Sequence, residues 1–134
     1  MWLISHNSHS INFKSKTSYN IGHFSLLSDV SPRLKIIRFT HPENILVFFS
    51  GNPTFRENSG SINDENLVLN KITQSKDIQD FARNLKGNFV FGIIRENECS
   101  IISDRFAVSK FFYYDGPSIV ASDSLHSIKK LVNA

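Results

Sequence analysis

Cysteine, methionine and tryptophan each occur once among the 134 residues of this chain. A single cysteine, Cys99, excludes an internal disulfide and suits a reducing compartment, so the core alone must hold the fold. It lies in the strand-like run Glu98-Cys99-Ser100-Ile101-Ile102. Nothing beside it supplies the cationic, accessible setting of a reactive thiol, so it reads as a small, half-buried side chain. Glycine is sparse, at 6, and scattered. No glycine-rich phosphate loop exists, and Gly51, Gly60, Gly87, Gly92 and Gly116 each read as a turn, a cap or a close approach. No nucleophile elbow occurs. No run approaches the roughly 18 apolar residues of a membrane span, and no basic segment leads into an apolar one at the start. The cytoplasm is therefore the expected location, with no membrane partner. Basic residues outnumber acidic ones by only 15 to 12 and are dispersed, which argues against a nucleic-acid partner. The histidines His6, His9, His23, His41 and His126 lack a second cysteine or tightly spaced carboxylates, so neither a metal nor another cofactor is expected.

What the chain does have is apolar material. Hydrophobic residues make up 40% of it, with 12 phenylalanines. That is enough to bury one core, and residues 1–134 read as a single domain. Trp2-Leu3-Ile4 and Ile11-Asn12-Phe13 read as short strands, and residues 14–20 as a loop. Residues 21–27 read as one strand ending near Ser28-Asp29. Leu34–Phe39 is β-rich, and residues 45–49 form an apolar run suited to a strand buried on both faces. Ser61 and Asp64 signal a helix start, with Leu67, Val68, Leu69 and Ile72 on its apolar face. Ser75 is placed to cap a second helix bearing Ile78, Phe81, Ala82 and Leu85, and Gly87 to end it. Phe89–Ile94 and Cys99–Ser103 read as one hairpin, residues 111–114 and 118–121 as another around Asp115-Gly116. Ser122-Asp123-Ser124 can cap a terminal helix carrying Leu125, Ile128 and Leu131. The sum is an α+β domain with two antiparallel groups of strands and a helical layer.

The pairs Phe48-Phe49 and Phe111-Phe112 test that picture. Neighbours in a strand face opposite ways, so each pair needs apolar cover on both sides. Stacked sheets with outer helices supply it. A pair member left exposed marks a partner surface, and a homodimer is then one expectation.

Several segments fall in a familiar order. They are Leu85-Lys86-Gly87-Asn88-Phe89, then Ser103-Asp104-Arg105, then Phe111-Phe112-Tyr113-Tyr114, then Ile119-Val120-Ala121-Ser122-Asp123, then Ile128-Lys129-Lys130-Leu131. This succession resembles the second half of the class II glutamine amidotransferase domain of asparagine synthetases. There a Leu-x-Gly-x-Phe junction, an Asp-Arg turn, a Tyr-Tyr strand and a strand ending in Ser plus an acid follow one another. Ile21-Gly22-His23-Phe24, Val47-Phe48-Phe49-Ser50-Gly51-Asn52 and Asn63-Asp64-Glu65 extend the resemblance backward. It implies an N-terminal-nucleophile αββα sandwich, reduced in size.

The departures from that family carry the functional expectation. The family places a nucleophilic Cys after Met1, activated by the amine that Met removal frees. Here that position is Trp2, which has no nucleophile and should hinder Met removal. The family's Asn-Gly oxyanion turn reads Ser50-Gly51. Its substrate-holding Arg after Gly-His is replaced at Phe24-Ser25, and the segment before Gly22 is too short for its Arg-Gly-Pro clamp. Losing a nucleophile alone costs orders of magnitude in rate. The resemblance therefore implies a non-catalytic domain without glutaminase activity, keeping at most a vestigial ligand pocket at Ser50, Gly51 and Asn52. Relatives that close β-lactam rings or lasso peptides keep such a domain without that activity. The chain carries no ATP-pyrophosphatase loop, so a cut-out domain or a separate small subunit is expected. Its expected partner is a synthetase-like ATP-dependent amide-forming enzyme or its peptide substrate. The competing expectation is a hydrolase activated by processing to Ser5, Ser8 or Thr17. Trp2 itself is expected to plug the old pocket.

Overall fold

Apolar runs and period-two alternation sort most of the chain into antiparallel sheets. The computed structural model describes residues 2–6, 17–29, 34–40, 43–56, 61–104, 111–115, 119–124, 126 and 128–129. The strand expected at Ile11-Asn12-Phe13 lies outside them. In chain order the elements are β1 (Trp2–His6), β2 (Thr17–Ile21), β3 (Phe24–Ser28), β4 (Leu34–Phe39), β5 (Ile45–Gly51), β6 (Thr54–Phe55), α1 (Glu65–Gln74), α2 (Ile78–Ala82), β7 (Leu85–Lys86), β8 (Phe89–Ile94), β9 (Cys99–Ser103), β10 (Phe112–Asp115) and β11 (Ile119–Ser122). A five-stranded sheet runs β10-β11-β1-β3-β2, and a four-stranded sheet runs β4-β5-β8-β9. β6 and β7 form a small two-stranded sheet. The class is α+β, as the sequence pattern predicts.

β5 and β8 are central and buried on both faces. Their alternation feeds two separate layers. Ile45, Val47 and Phe49 of β5 join Phe89, Phe91 and Ile93 of β8 under Val68 and Ile72 of α1 and Phe81 of α2. Leu46 and Phe48 point the other way, with Val90 and Ile94, into a layer shared with Trp2, Ile4 and Leu26 of the five-stranded sheet. The Phe48-Phe49 pair is thus divided between the two layers. On the outer face of the five-stranded sheet, Leu3 and Val120 pack with Ile128. The Ile128 amide donates to the Ser124 carbonyl at 3.3 Å, a helical turn following β11.

Several local expectations are corrected. Residues 17–20 are not loop but most of β2, an edge strand whose residues are largely exposed. Its polar run carries no hydrophobic signal because one partner strand is all it has. Residues 21–27 are not one strand. The chain turns at Gly22-His23 and pairs Ile21 with Phe24. Gly22 sits at φ +53°, and a Cβ there would stand 2.2 Å from the Glu96 carbonyl oxygen. The His23 amide donates to that same carbonyl at 3.1 Å, so this turn docks on the β8–β9 turn. Asp64 rather than Ser61 caps α1, accepting from the Leu67 amide at 3.2 Å. Ser75 closes α1 instead of opening α2, whose cap is Asp77. Gly87 does not end α2, because Leu85 and Lys86 are already paired with Phe55 and Thr54. The last hairpin begins one residue later than expected on each strand, at Phe112 and Ile119.

Gly92 lies opposite Phe48 in the β5–β8 ladder. A Cβ on it would meet the Phe48 ring at 2.1 Å. Gly92→Ala is expected to lower stability by about 1–3 kcal/mol in urea unfolding. Phe48→Leu in the Gly92→Ala background should recover part of that loss, a coupling visible in a double-mutant cycle.

Candidate functional site

Trp2 opens β1, the central strand of the five-stranded sheet, which pairs with β11 on one side and β3 on the other. Both of its backbone groups are held from the end of β11. The Trp2 amide donates to Asp123 Oδ1 at 2.9 Å, and the Ser122 hydroxyl donates to the Trp2 carbonyl at 2.6 Å. Ser122 is fully buried, and its Oγ also accepts from the Ser124 amide at 3.0 Å. In the sequence Ser122 and Asp123 read as a helix cap and as the Ser-plus-acid strand end of the resemblance, neither of which calls for a contact with Trp2. Their second role depends on β1 and β11 being neighbours, which local sequence does not encode.

The indole is 1% exposed. It lies 4.9 Å from the Phe48 ring and 6.2 Å from Phe111, centroid to centroid, both tilted. Such pairs add about 0.5–1.5 kcal/mol each to the roughly 1.5–3 kcal/mol of a large buried apolar side chain. The indole N–H is buried with no hydrogen-bond partner among the described residues. That omission offsets about 1–3 kcal/mol of the gain. Shape and ring contact, not polar pairing, hold the side chain.

Ser50, Gly51 and Asn52 end β5. Ser50 shares its strand face with Leu46 and Phe48, and its ladder neighbours Leu34 and Val90 belong to the layer containing Trp2. Gly51 has φ +99°, and a Cβ there would stand 2.2 Å from the Asn88 carbonyl oxygen. The Asn52 amide donates to that carbonyl at 2.9 Å, and Gly87 in turn makes room for the Asn52 carbonyl. The two Gly-Asn turns therefore interlock through backbone. The Asn52 N–H, already engaged, is not aimed at a developing oxyanion. Asp104 closes the same region. It is buried, its carboxylate accepts from the Phe89 amide at 3.2 Å, and its own amide donates to the Phe89 carbonyl at 2.9 Å.

Other candidate residues are dispersed. Ser5 is buried mid-strand in β1, where cleavage before it would remove Trp2, Leu3 and Ile4 from the sheet. Thr17 is exposed at the start of edge strand β2. Ser8, His9 and His41 lie outside the described residues, and His126 is exposed. The His6 and His23 rings lie 5.9 Å apart, and the described residues bring no third His, Cys, Asp or Glu to form a metal-holding group with them. Cys99 borders a cleft of about 370 Å³ between the sheets, whose walls include Ile4, Phe24, Ile101 and Phe111. Burial, assisted by the Glu98 charge, pushes its thiol pKa up to about 12. A thiol held protonated in this way is a poor nucleophile near neutral pH. No helix among the described residues is long and apolar enough to cross a membrane.

No protein-family model matches the chain, and no curated protein matches it by sequence.

Two outcomes are expected. Trp2→Ala should cost about 3–5 kcal/mol in urea unfolding. Trp2→Phe should cost less than half as much, because it keeps a ring against Phe48 and removes the unpaired N–H. For Cys99 the folded pKa lies above the unfolded one, so its contribution is complete below about pH 9 and is lost as pH rises toward 12. Stability should therefore fall more steeply above pH 9 in the parent than in Cys99→Ala, and alkylation by iodoacetamide at pH 8 should require unfolding.

Proposed function

We propose that this chain is a non-catalytic, amidotransferase-like domain of the N-terminal-nucleophile αββα type, acting as a binding module for a partner protein. One observation carries the reading. The residue at the family's nucleophile position is a tryptophan, 1% exposed, whose indole packs at a tilt against the Phe48 ring. A nucleophile must be reachable by substrate, and this position is both chemically inert and filled. The facing antiparallel sheets, with α1 and α2 over one and the Ile128 turn over the other, support the fold assignment. The departures at Ser50-Gly51 and Phe24-Ser25 support the loss of catalysis. The partner we infer is a synthetase-like ATP-dependent enzyme that forms amide bonds, or its peptide substrate.

A partner surface has one further support. Of the two phenylalanine pairs, only the second has an exposed member. Phe112 is 40% exposed and the adjacent Tyr113 71%, both on β10, which ends its sheet. Exposed aromatics on an edge strand favour association, whether with the synthetase-like partner or with a second copy of the chain.

Purified protein is expected to release no glutamate from glutamine, and Trp2→Cys should lower stability without creating that activity. Co-expression with an acyl-adenylate-forming amide synthetase is expected to yield a complex that Phe112→Asp weakens. Glutaminase turnover by the parent, or a complete failure to co-purify with such enzymes, would sink the proposal. Light scattering that finds a dimer dispersed by Phe112→Asp would shift the reading to self-association.

A further inference from the structure

The β6–β7 sheet carries a feature that the Trp2 region does not explain. Leu85 and Phe55 pair on its buried side, so Lys86 and Thr54 pair on its outward side. The next register position joins Arg56 to Asn84, with the Arg56 amide donating to the Asn84 carbonyl at 2.7 Å. Alternation therefore puts Arg56 on the same outward face as Lys86. Arg83, the C-cap of α2, lies just before Asn84. All three cations are exposed, and all three line one groove of about 860 Å³.

These charges stand together on one groove. Among the described residues, no hydrogen bond or ion pair engages the side chains of Arg56, Arg83 or Lys86. Arg95 is held by Glu43 at 3.2 Å and Lys35 by Asn63 at 3.2 Å, while Arg38 and Lys76 are single exposed cations that share no groove with one another; what distinguishes Arg56, Arg83 and Lys86 is that they line the same one. The carboxylate in the groove wall, Asp104, is buried and accepts from the Phe89 amide. Like charges on adjacent positions of one face repel, and a concave wall strengthens the field they share. Two guanidinium groups match carboxylate pairs in fork geometry. Gln79 and Asn88 add amides that can bond to a peptide backbone. β6 and β7 are both edge strands, which suits an extended segment. A nucleic acid would call for a longer basic stripe, and the remaining Lys and Arg residues are scattered along the sequence.

We infer that the Arg56–Arg83–Lys86 groove binds an acidic, extended peptide segment of a partner protein. This inference rests on the partner-binding reading and names a surface for it, distinct from β10.

The test uses the full chain and fluorescence anisotropy. Its probes are a labelled ten-residue Glu/Ser peptide, the matching Gln/Ser peptide and a single-stranded DNA oligonucleotide. The Glu/Ser peptide is expected to bind, the Gln/Ser peptide not, and added salt should weaken binding. Arg56→Ala/Lys86→Ala should weaken it by about tenfold. The charge-matched control Arg38→Ala/Lys76→Ala, altering exposed cations on β4 and before α2, should change it by less than about twofold. Equal loss in both variants, no binding of the acidic peptide, or tighter binding of the oligonucleotide would overturn the inference. Capture of the synthetase-like partner separates it from the underlying reading. Capture undiminished in Arg56→Ala/Lys86→Ala overturns the groove and leaves the reading standing. Peptide binding lost in that variant, with no synthetase captured by any form, overturns the reading and leaves the groove as an acidic-peptide site.

Discussion

A strand buried on both faces leaves no room for a polar side chain on either, and β5 imposes that condition on everything beside it. Ile45, Val47 and Phe49 require the helical layer, while Leu46 and Phe48 require a second sheet. Phe48 imposes the tightest demand. Its ring occupies the space over Gly92 and meets Trp2, so a glycine on one neighbouring strand and an aromatic from the facing sheet are both consequences of one side chain. The order β4-β5-β8-β9 follows, since only a central position covers both edges of β5.

Trp2 completes that arrangement from the other sheet. Its ring is placed by Phe48 and Phe111, its backbone by Asp123 and Ser122. Its indole N–H has no hydrogen-bond partner among the described residues, and the side chains packed around it are apolar. A catalytic N-terminal nucleophile has opposite needs: an accessible first residue, a free amine and polar donors around a void. Under the proposed reading, this strand end serves packing rather than catalysis.

Much of the fold was legible because its signals are strong and local. The apolar runs at β5 and β8, the hairpin of Phe89–Ile94 with Cys99–Ser103 and the periodic face of α1 are each decided by neighbouring residues. β2 was not legible, because its residues Thr17-Ser18-Tyr19-Asn20 are polar and its pairing comes from β3 folding back at Gly22. That glycine is required by the Glu96 carbonyl, more than seventy positions away in sequence. The end of α2 was misread for a similar reason: Leu85 continues a helical pattern, yet its pairing with Phe55 removes it from the helix. At the site, the burial of Trp2 followed from its apolar neighbours and the resemblance. Its clamp by Ser122 and Asp123 did not, because that contact spans nearly the whole chain.

The same physics bears on where binding can reside. An interior filled by aromatic rings gains stability and leaves less room for a ligand, the usual exchange between packing and function. The layer behind Trp2 is then committed to the core, and the interlocked Gly51-Asn52 and Gly87-Asn88 turns commit their backbone to each other. Surface features that packing does not account for lie elsewhere: the aromatics of β10 at one sheet edge and the cations around β6 and β7, which have no ion-pair partner among the described residues. Core residues need no partner to explain them; under the proposed reading, the 71% exposed Tyr113 beside Phe112 and the cations with no ion-pair partner among the described residues are where one would bind. Under the proposed reading, recognition has moved from the interior of the old active site to its outer rims, where a partner can be bound without reopening the core.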